Sequence, residues 1–247
     1  FPLEQYHLNP PGVTVETYLQ DLDVVWGLAF APDGRLFLSE KSGHIRIVSP
    51  DGVMDPTPWA TISDVNAEIR ERGLYGLTLH PDFPQEPWVY VMYAYDSGED
   101  RTANRVVRFR EVNGRGVDQE ILLDDIPGAT THNGGRLSFG PDGMLYIAAG
   151  DARDRRRAQD LENLGGSILR ITPEGNVPAD NPWPDNPIWA YGFRNIMGMA
   201  FRPGDGTFFA ADHGPTVEWE PRIGAYDELN IIEKGANYGW PLVVGAP

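Results

Sequence analysis

Cysteine is absent from the 247-residue chain. No disulfide can therefore stabilise the fold, and no thiolate can bind a metal ion. Cysteine usage also does not distinguish a reducing from an oxidising compartment. Stability must come from packing, and a hydrophobic content of 41% is normal for a globular core.

Basic residues are few, with 20 Lys and Arg against 36 Asp and Glu, and the net charge is −16 at pH 7. A surface this acidic repels phosphate backbones, so we expect no nucleic-acid partner. The one basic run, at residues 153–157, is short and interrupted by an acidic residue. It is either a solvated loop or a patch that faces an anionic ligand.

Long apolar runs are missing as well. No stretch approaches the roughly 18 residues of a membrane-spanning helix, so we expect no membrane span. The first residues lack the charged and apolar regions of a signal peptide, and we expect that any such peptide is not part of this chain. Glycine-rich nucleotide motifs and the serine elbow of hydrolases are also absent.

What the chain does contain is one pattern that occurs four times. Each copy has an apolar strand, a proline, a short Asp/Gly turn and a second strand of aromatic and aliphatic residues, which predicts a β-hairpin. Successive copies are 49, 60 and 62 residues apart, which leaves room for two further strands after each hairpin. The equivalent prolines are Pro32, Pro81, Pro141 and Pro203.

A repeat of this length built from short strands is typical of a β-propeller, in which each repeat forms one four-stranded blade. We therefore predict an all-β fold and a single propeller domain over residues 1–247. Four hairpins separated by long loops suit a ring of more than four blades. We expect about four blades in this chain and a propeller that is incomplete at its C-terminus.

His132 is the most informative titratable residue. It precedes the first strand of the third copy and is followed by Gly134 and Gly135, which let a backbone or a ligand approach closely. An imidazole is well matched to removing a hydroxyl proton near neutral pH. The residue is either a general base at the mouth of the propeller channel or the cap of a turn.

Further polar residues occupy comparable loops. Arg194 and Asn195 precede the first strand of the fourth copy, where they could neutralise a carboxylate or brace adjacent blades. His213 has Asp212 beside it in the sequence. Three roles are possible for this histidine: a metal ligand, part of a catalytic triad, or one member of a buried hydrogen-bonded pair. The "DELNIIEKGANYGWP" segment combines carboxylates with a Gly/Asn-rich turn, which could hold calcium.

Several of these motifs occur together and in order: "ERGLYGLTLHPDF", "HNGGRLSFGPDGMLYIAAGD", "LGGSILRITPEG", "NPIWAYGFRNIMGMAF", "DHGP" and "DELNIIEKGANYGWP". From about Leu22 onward the chain resembles the soluble pyrroloquinoline quinone (PQQ)-dependent sugar dehydrogenases of the glucose/sorbosone dehydrogenase family. The resemblance implies a six-bladed propeller that binds PQQ and Ca²⁺ and oxidises an aldose at C1 to the lactone, with hydride transfer to PQQ. It also implies an external electron acceptor and a periplasmic or extracellular location.

The resemblance assigns roles to individual residues. His132 matches the catalytic base, and Arg194 with Asn195 matches the pair that contacts the cofactor. The carbonyls of Gly214 and Pro215 match the ligands of the active-site calcium. Glu228 and the main-chain oxygen of Tyr238 match a second, structural calcium site.

This chain departs from the pattern at two positions and leaves alternatives open. Glu71 stands where well-studied members have a cofactor-contacting glutamine, and Thr131 stands where some have an aspartate. The remaining cofactor contacts of the family have no counterpart here. A propeller that acts only as a binding module and a calcium-dependent lactonase are therefore the alternatives, and an unpaired blade edge suggests a possible homodimer.

Overall fold

The computed structural model describes residues 14–98, 101–215 and 226–245. Over these residues the chain forms four antiparallel sheets, in each of which the strands follow one another in chain order. The predicted all-β propeller with four blades is therefore confirmed. The first blade consists of β1 (Val25–Phe30), β2 (Leu36–Glu40), β3 (His44–Val48) and β4 (Ala60–Thr61), and the second of β5 (Leu74–Leu79), β6 (Trp88–Asp96), β7 (Thr102–Val112) and β8 (Arg115–Pro127). The third consists of β9 (Gly134–Phe139), β10 (Leu145–Ala149), β11 (Ser167–Ile171) and β12 (Ile188–Tyr191), and the fourth of β13 (Ile196–Phe201), β14 (Phe208–Asp212) and β15 (Glu228–Ile231).

Each predicted hairpin is present as the first two strands of a blade. All four prolines lie in the turns between those strands, where a missing N–H removes no ladder hydrogen bond. A short 3₁₀ helix, Arg155–Gln159, lies in the connection between β10 and β11. In the described part of the chain, no helix is long and apolar enough to cross a membrane.

In the two inner blades, the second strand is buried on both faces because it lies between two neighbouring sheets. In β6, Val91 and Tyr93 pack into the cluster shared with the first blade, whereas Tyr90 and Met92 pack into the cluster shared with the third. β10 alternates in the same way between the second and fourth blades. Such strands are continuous hydrophobic runs rather than alternating ones, and each large buried side chain contributes roughly 1.5–3 kcal/mol.

The first strands of the blades, β1, β5, β9 and β13, lie side by side around the channel. Neighbouring first strands approach each other closely at positions that are occupied by glycine. A Cβ atom on Gly76 of β5 would lie 2.5 Å from the carbonyl oxygen of Gly135 on β9, a distance that no side chain can occupy. The glycines of this motif therefore allow two blades to meet at the channel.

Arg136 connects three blades across the channel. Its Nε donates to the carbonyl oxygen of Met197 at 2.7 Å and its Nη1 to that of Trp26 at 3.2 Å, so a side chain of β9 reaches both β13 and β1. Burial lowers the pKa of its guanidinium from the ordinary value. The cost of burying this cation is offset by two carbonyl acceptors.

The two end blades expose apolar side chains on their outer faces. Leu28 and Phe30 of β1 are 61% and 67% exposed, and Leu229 and Ile231 of β15 are 74% and 56% exposed. Equivalent strands inside the array are covered by the next blade. The fourth blade has three strands over the described residues, whereas the other blades have four.

Candidate active site

A cavity of about 360 Å³ opens at one end of the channel. Because paired strands are antiparallel, the loop before the first strand of a blade and the loop after the second strand lie at the same end of the sheet. Gly134 pairs with Ala149 in the third blade and Ile196 pairs with Asp212 in the fourth. The residues just outside these pairs therefore converge on the cavity.

His132 lies in the cavity wall with a left-handed backbone, φ 61°. Its Nδ1 is 2.9 Å from Oδ1 of Asp151, and the two side chains are 20% and 2% exposed. A buried carboxylate accepts but does not donate, so Nδ1 carries the proton in the neutral ring. Nε2 then keeps its lone pair, which is the state that a general base requires.

Asp151 was not among the residues predicted from the sequence. It lies two residues after the end of β10, in "YIAAGD", and therefore at the same end of the blade as His132. Its Oδ1 also accepts the backbone N–H of Arg153 at 2.8 Å, and its Oδ2 accepts the indole N–H of Trp240 at 2.9 Å. The position of an acidic residue at the end of a second strand was the signal that could have identified it.

Glu71 supports the backbone of His132. Its Oε2 accepts the His132 N–H at 2.8 Å, and its own N–H donates to the carbonyl oxygen of Thr130 at 3.1 Å. The sequence predicted a cofactor contact at this position. The residue does line the cavity, and one of its carboxylate oxygens accepts from the backbone of the loop that carries His132.

Asp212 fixes the turn formed by Arg194 and Asn195. Its oxygens accept the backbone N–H groups of these residues at 2.9 and 2.7 Å. Burial raises the pKa of the Asp212 carboxyl to about 6, although the two backbone donors act in the opposite direction. This turn also contacts the third blade, because Asn195 Oδ1 accepts the N–H of Gly134 at 3.0 Å.

The Arg194 side chain lines the cavity, and its Nη1 donates to the carbonyl oxygen of His213 at 2.9 Å. Its backbone carbonyl accepts the N–H of Asp151 at 2.8 Å. Its main chain braces adjacent blades, and its guanidinium reaches the cavity. The neutralisation of an anionic group by Arg194 stays a prediction.

The predicted calcium ligands fall in two places. Pro215 lines the cavity, and Gly214 donates its N–H to Asp227 Oδ1 at 3.0 Å. Glu228 accepts from the backbone of Gly245 at 3.0 Å and from the Asn230 side chain at 3.1 Å. The resemblance assigns these residues to two separate calcium sites, and both assignments stay predictions.

Tyr238 packs away from the cavity lining. Its ring stacks on that of Phe193, with centroids 4.6 Å apart, and its hydroxyl donates to the carbonyl oxygen of Ile231 at 2.6 Å.

His213 lines the cavity, and its Nε2 is 3.9 Å from Asp227 Oδ1, too far for a hydrogen bond. The carboxylate of Asp212, the neighbour of His213 in the sequence, accepts from the backbone of Arg194 and Asn195.

A model of the glucose/sorbosone dehydrogenase family matches residues 22–246. The chain belongs to the glucose/sorbosone dehydrogenase family. Among family relatives, the aldose sugar dehydrogenase of Escherichia coli K12 is 35% identical over 243 residues, which cover 94% of this chain and 63% of that protein. The sequence similarity to that protein therefore extends over most of this chain.

Solved structures agree with the assignment to the glucose/sorbosone dehydrogenase family. An oxidoreductase of the glucose dehydrogenase type from Thermus thermophilus is 42% identical with a TM-score of 0.83, over 92% of this chain and 67% of that one. The PQQ-bound aldose sugar dehydrogenase of Streptomyces coelicolor is 34% identical with a TM-score of 0.83, over 94% and 66%. This chain spans between 52% and 63% of the length of the first curated relatives it matches.

Proposed function

We propose that the protein is a PQQ-dependent sugar dehydrogenase that oxidises an aldose at C1 to the lactone, with His132 as the general base. The observation that carries this proposal is the hydrogen bond between His132 Nδ1 and the buried Asp151 carboxylate, 2.9 Å long, beside a cavity. The pair leaves Nε2 as the proton acceptor. The names of family relatives support PQQ and sugars as the ligand classes.

The cavity suits a tricarboxylate such as PQQ. Its volume of about 360 Å³ lies within the range of small-molecule sites. Four arginines line it in a protein whose net charge is −16, and a guanidinium matches a carboxylate in both charge and shape. These arginines are Arg70, Arg153, Arg155 and Arg194. Bound PQQ would supply the two-electron acceptor that no side chain can provide.

The chain's own residues would manage the proton and the charge. His132 Nε2 would take the proton of the C1 hydroxyl, and Asp151 would stabilise the imidazolium that results. A positioned general base of this kind accelerates a reaction by roughly 10²- to 10⁴-fold. Arg194, held by its bond to the His213 carbonyl, would present positive charge to an anionic group in the cavity.

Calcium is proposed on a different basis. Among the residues that the structure describes, no group of three or more His, Asp or Glu side chains is arranged to hold a metal ion. A calcium ion at the cavity would therefore depend on main-chain oxygens, for which Gly214 and Pro215 are the candidates, together with oxygens of the cofactor. Glu228 and the carbonyl of Tyr238 are the candidates for a second ion.

The experiment is an assay of the full-length protein with PQQ and Ca²⁺, an aldose and an artificial dye as electron acceptor. We expect sugar-dependent dye reduction that falls by about 10²-fold or more in His132→Ala, with PQQ binding retained in calorimetry. His44→Ala is the matched control, because His44 lies on β3 of the first blade, where its ring contacts the Thr61 hydroxyl at 3.1 Å, outside the cavity lining.

Two outcomes would replace this proposal. A full-length protein that binds no PQQ would favour the non-catalytic binding module. Turnover of a lactone without any electron acceptor would favour the calcium-dependent lactonase. A periplasmic or extracellular location and an external electron acceptor belong to the proposal. Fractionation of the source cells tests the location.

A further inference from the structure

Trp240 reaches the catalytic pair from a distant part of the chain. It lies after β15, is 7% exposed and lines the cavity. Its indole N–H donates to Oδ2 of Asp151 at 2.9 Å in a buried contact between residues 89 positions apart. The other oxygen of Asp151 serves His132. Both oxygens of this carboxylate are therefore held, each by a different side chain.

The Trp240 backbone is itself fixed from two sides. Its N–H donates to the carbonyl oxygen of Gly192 at 3.0 Å, and its carbonyl accepts from Gln159 Nε2 at 2.7 Å. Gln159 and Asn237 also exchange two amide hydrogen bonds, at 3.0 and 2.8 Å. The indole is thus presented by a segment that is fastened to the loop that follows Asp151.

The second hydrogen bond on Asp151 has a physical consequence for His132. A carboxylate held through one oxygen can rotate about its last side-chain bond, because that torsion has broad minima. An indole N–H on the other oxygen fixes the carboxylate plane. The oriented carboxylate, as an acceptor beside the ring, is what keeps the proton of His132 on Nδ1.

We propose that Trp240 is a positioning residue for the general base, which acts by holding Asp151 so that His132 stays in the Nδ1–H tautomer with Nε2 facing the cavity. This inference rests on the proposed function for its kinetic part only. Its structural part concerns the tautomer of one histidine in the protein without cofactor.

The test uses Trp240→Phe, which keeps an aromatic ring and removes the N–H. With ¹⁵N-labelled histidine and His132→Gln to identify the signal, we expect a predominantly Nδ1–H ring in the wild type. Trp240→Phe should shift His132 toward a mixture of tautomers. Asp151→Asn gives the reference spectrum for a His132 ring whose tautomer is no longer set by the Asp151 carboxylate. In the assay, kcat should fall about ten- to a hundredfold with little change in KM.

Trp59→Phe is the matched control. Trp59 is fully buried in the core between the first and second blades, and over the described residues its indole N–H has no hydrogen-bond partner. The same loss of ring volume should therefore leave the His132 tautomer unchanged. Gln159→Leu provides a second variant in case Trp240→Phe does not fold. It releases the Trp240 carbonyl without touching the indole and should shift the tautomer in the same direction by less.

The outcomes separate this inference from the proposed function. A wild-type tautomer in both Trp240→Phe and Gln159→Leu would overturn it, and so would an equal effect of Trp59→Phe. A tautomer shift in a full-length protein without dehydrogenase activity would support the positioning role and refute the proposed function.

Discussion

Replacement of Asn195 by Ala tests whether the turn before β13 braces the third blade. The Asn195 side chain is buried, and its Oδ1 accepts the N–H of Gly134, which is also buried. Gly134 lies two residues after His132 and begins β9. The substitution removes this acceptor without placing any new group in the space.

The expected loss of stability has two parts. An unsatisfied buried backbone donor costs about 1–3 kcal/mol, and the small cavity left by the amide adds roughly 1 kcal/mol. We therefore expect the free energy of unfolding of Asn195→Ala to fall by about 2–4 kcal/mol. For a domain of this size, that corresponds to a melting temperature lower by roughly 5–15 °C.

The assay is urea-induced unfolding followed by circular dichroism, without PQQ or calcium, so that cofactor binding does not contribute. Asn176→Ala is the control, because over the described residues the Asn176 side chain makes no hydrogen bond. Its change should stay within about 0.5 kcal/mol. If Asn195→Ala loses no more than this control, the Gly134 N–H has another partner and the bracing role is refuted.

Three other perturbations follow from the packing. Gly135→Ala places a Cβ 2.6 Å from the Tyr75 side chain at φ 96° and should cost more than about 2 kcal/mol in urea unfolding, whereas Gly143→Ala, with nothing within 4 Å, should cost about 1 kcal/mol. Burial raises the pKa of Tyr93 to about 12, above the value near 10 of an unfolded tyrosine, so its contribution to stability is complete below pH 10 and is lost as the pH rises through 12. Tyrosinate difference spectra recorded beside circular dichroism measure this. Arg170→Lys removes a forked set of hydrogen bonds to two aspartates and should cost about 2–3 kcal/mol in thermal unfolding.

Each of these has a contrary result. Equal costs at the two glycines would mean that backbone conformation, not the contact with Tyr75, determines the effect. Ionisation of every tyrosine near pH 10 in folded protein would refute the burial of Tyr93. An unchanged melting temperature in Arg170→Lys would show that charge alone is sufficient at that site.

The hairpins could be predicted because their signals are local. A proline and an Asp/Gly turn determine where a strand ends, and the structure has all four prolines in turns between paired strands. The number of strands per blade was also accessible from the spacing of the copies. The loss of alternation in β6 and β10 was not, because it depends on a second sheet packing on the other face.

Some of the residues that line the cavity were singled out from the sequence. His132 and Arg194 were identified, and the structure has both in one cavity wall. Asp151 and Trp240 were missed, although Asp151 hydrogen-bonds to His132 and the Trp240 indole donates to Asp151. Glu71 was expected to contact a cofactor, and its contact with the His132 backbone could not be inferred because it joins loops 61 residues apart.

The sequence by itself determined that this protein is built from hairpins, that it cannot use thiols, and that its strongest candidate base precedes a channel-facing strand. Those conclusions depend on side-chain chemistry and on turns of a few residues, which act over short stretches of chain. Only the tertiary structure decided that His132 is paired with Asp151 and that the Trp240 indole donates to the other oxygen of Asp151. Closing the blades around one channel sets those distances, and the contacts join residues that have no relation along the chain.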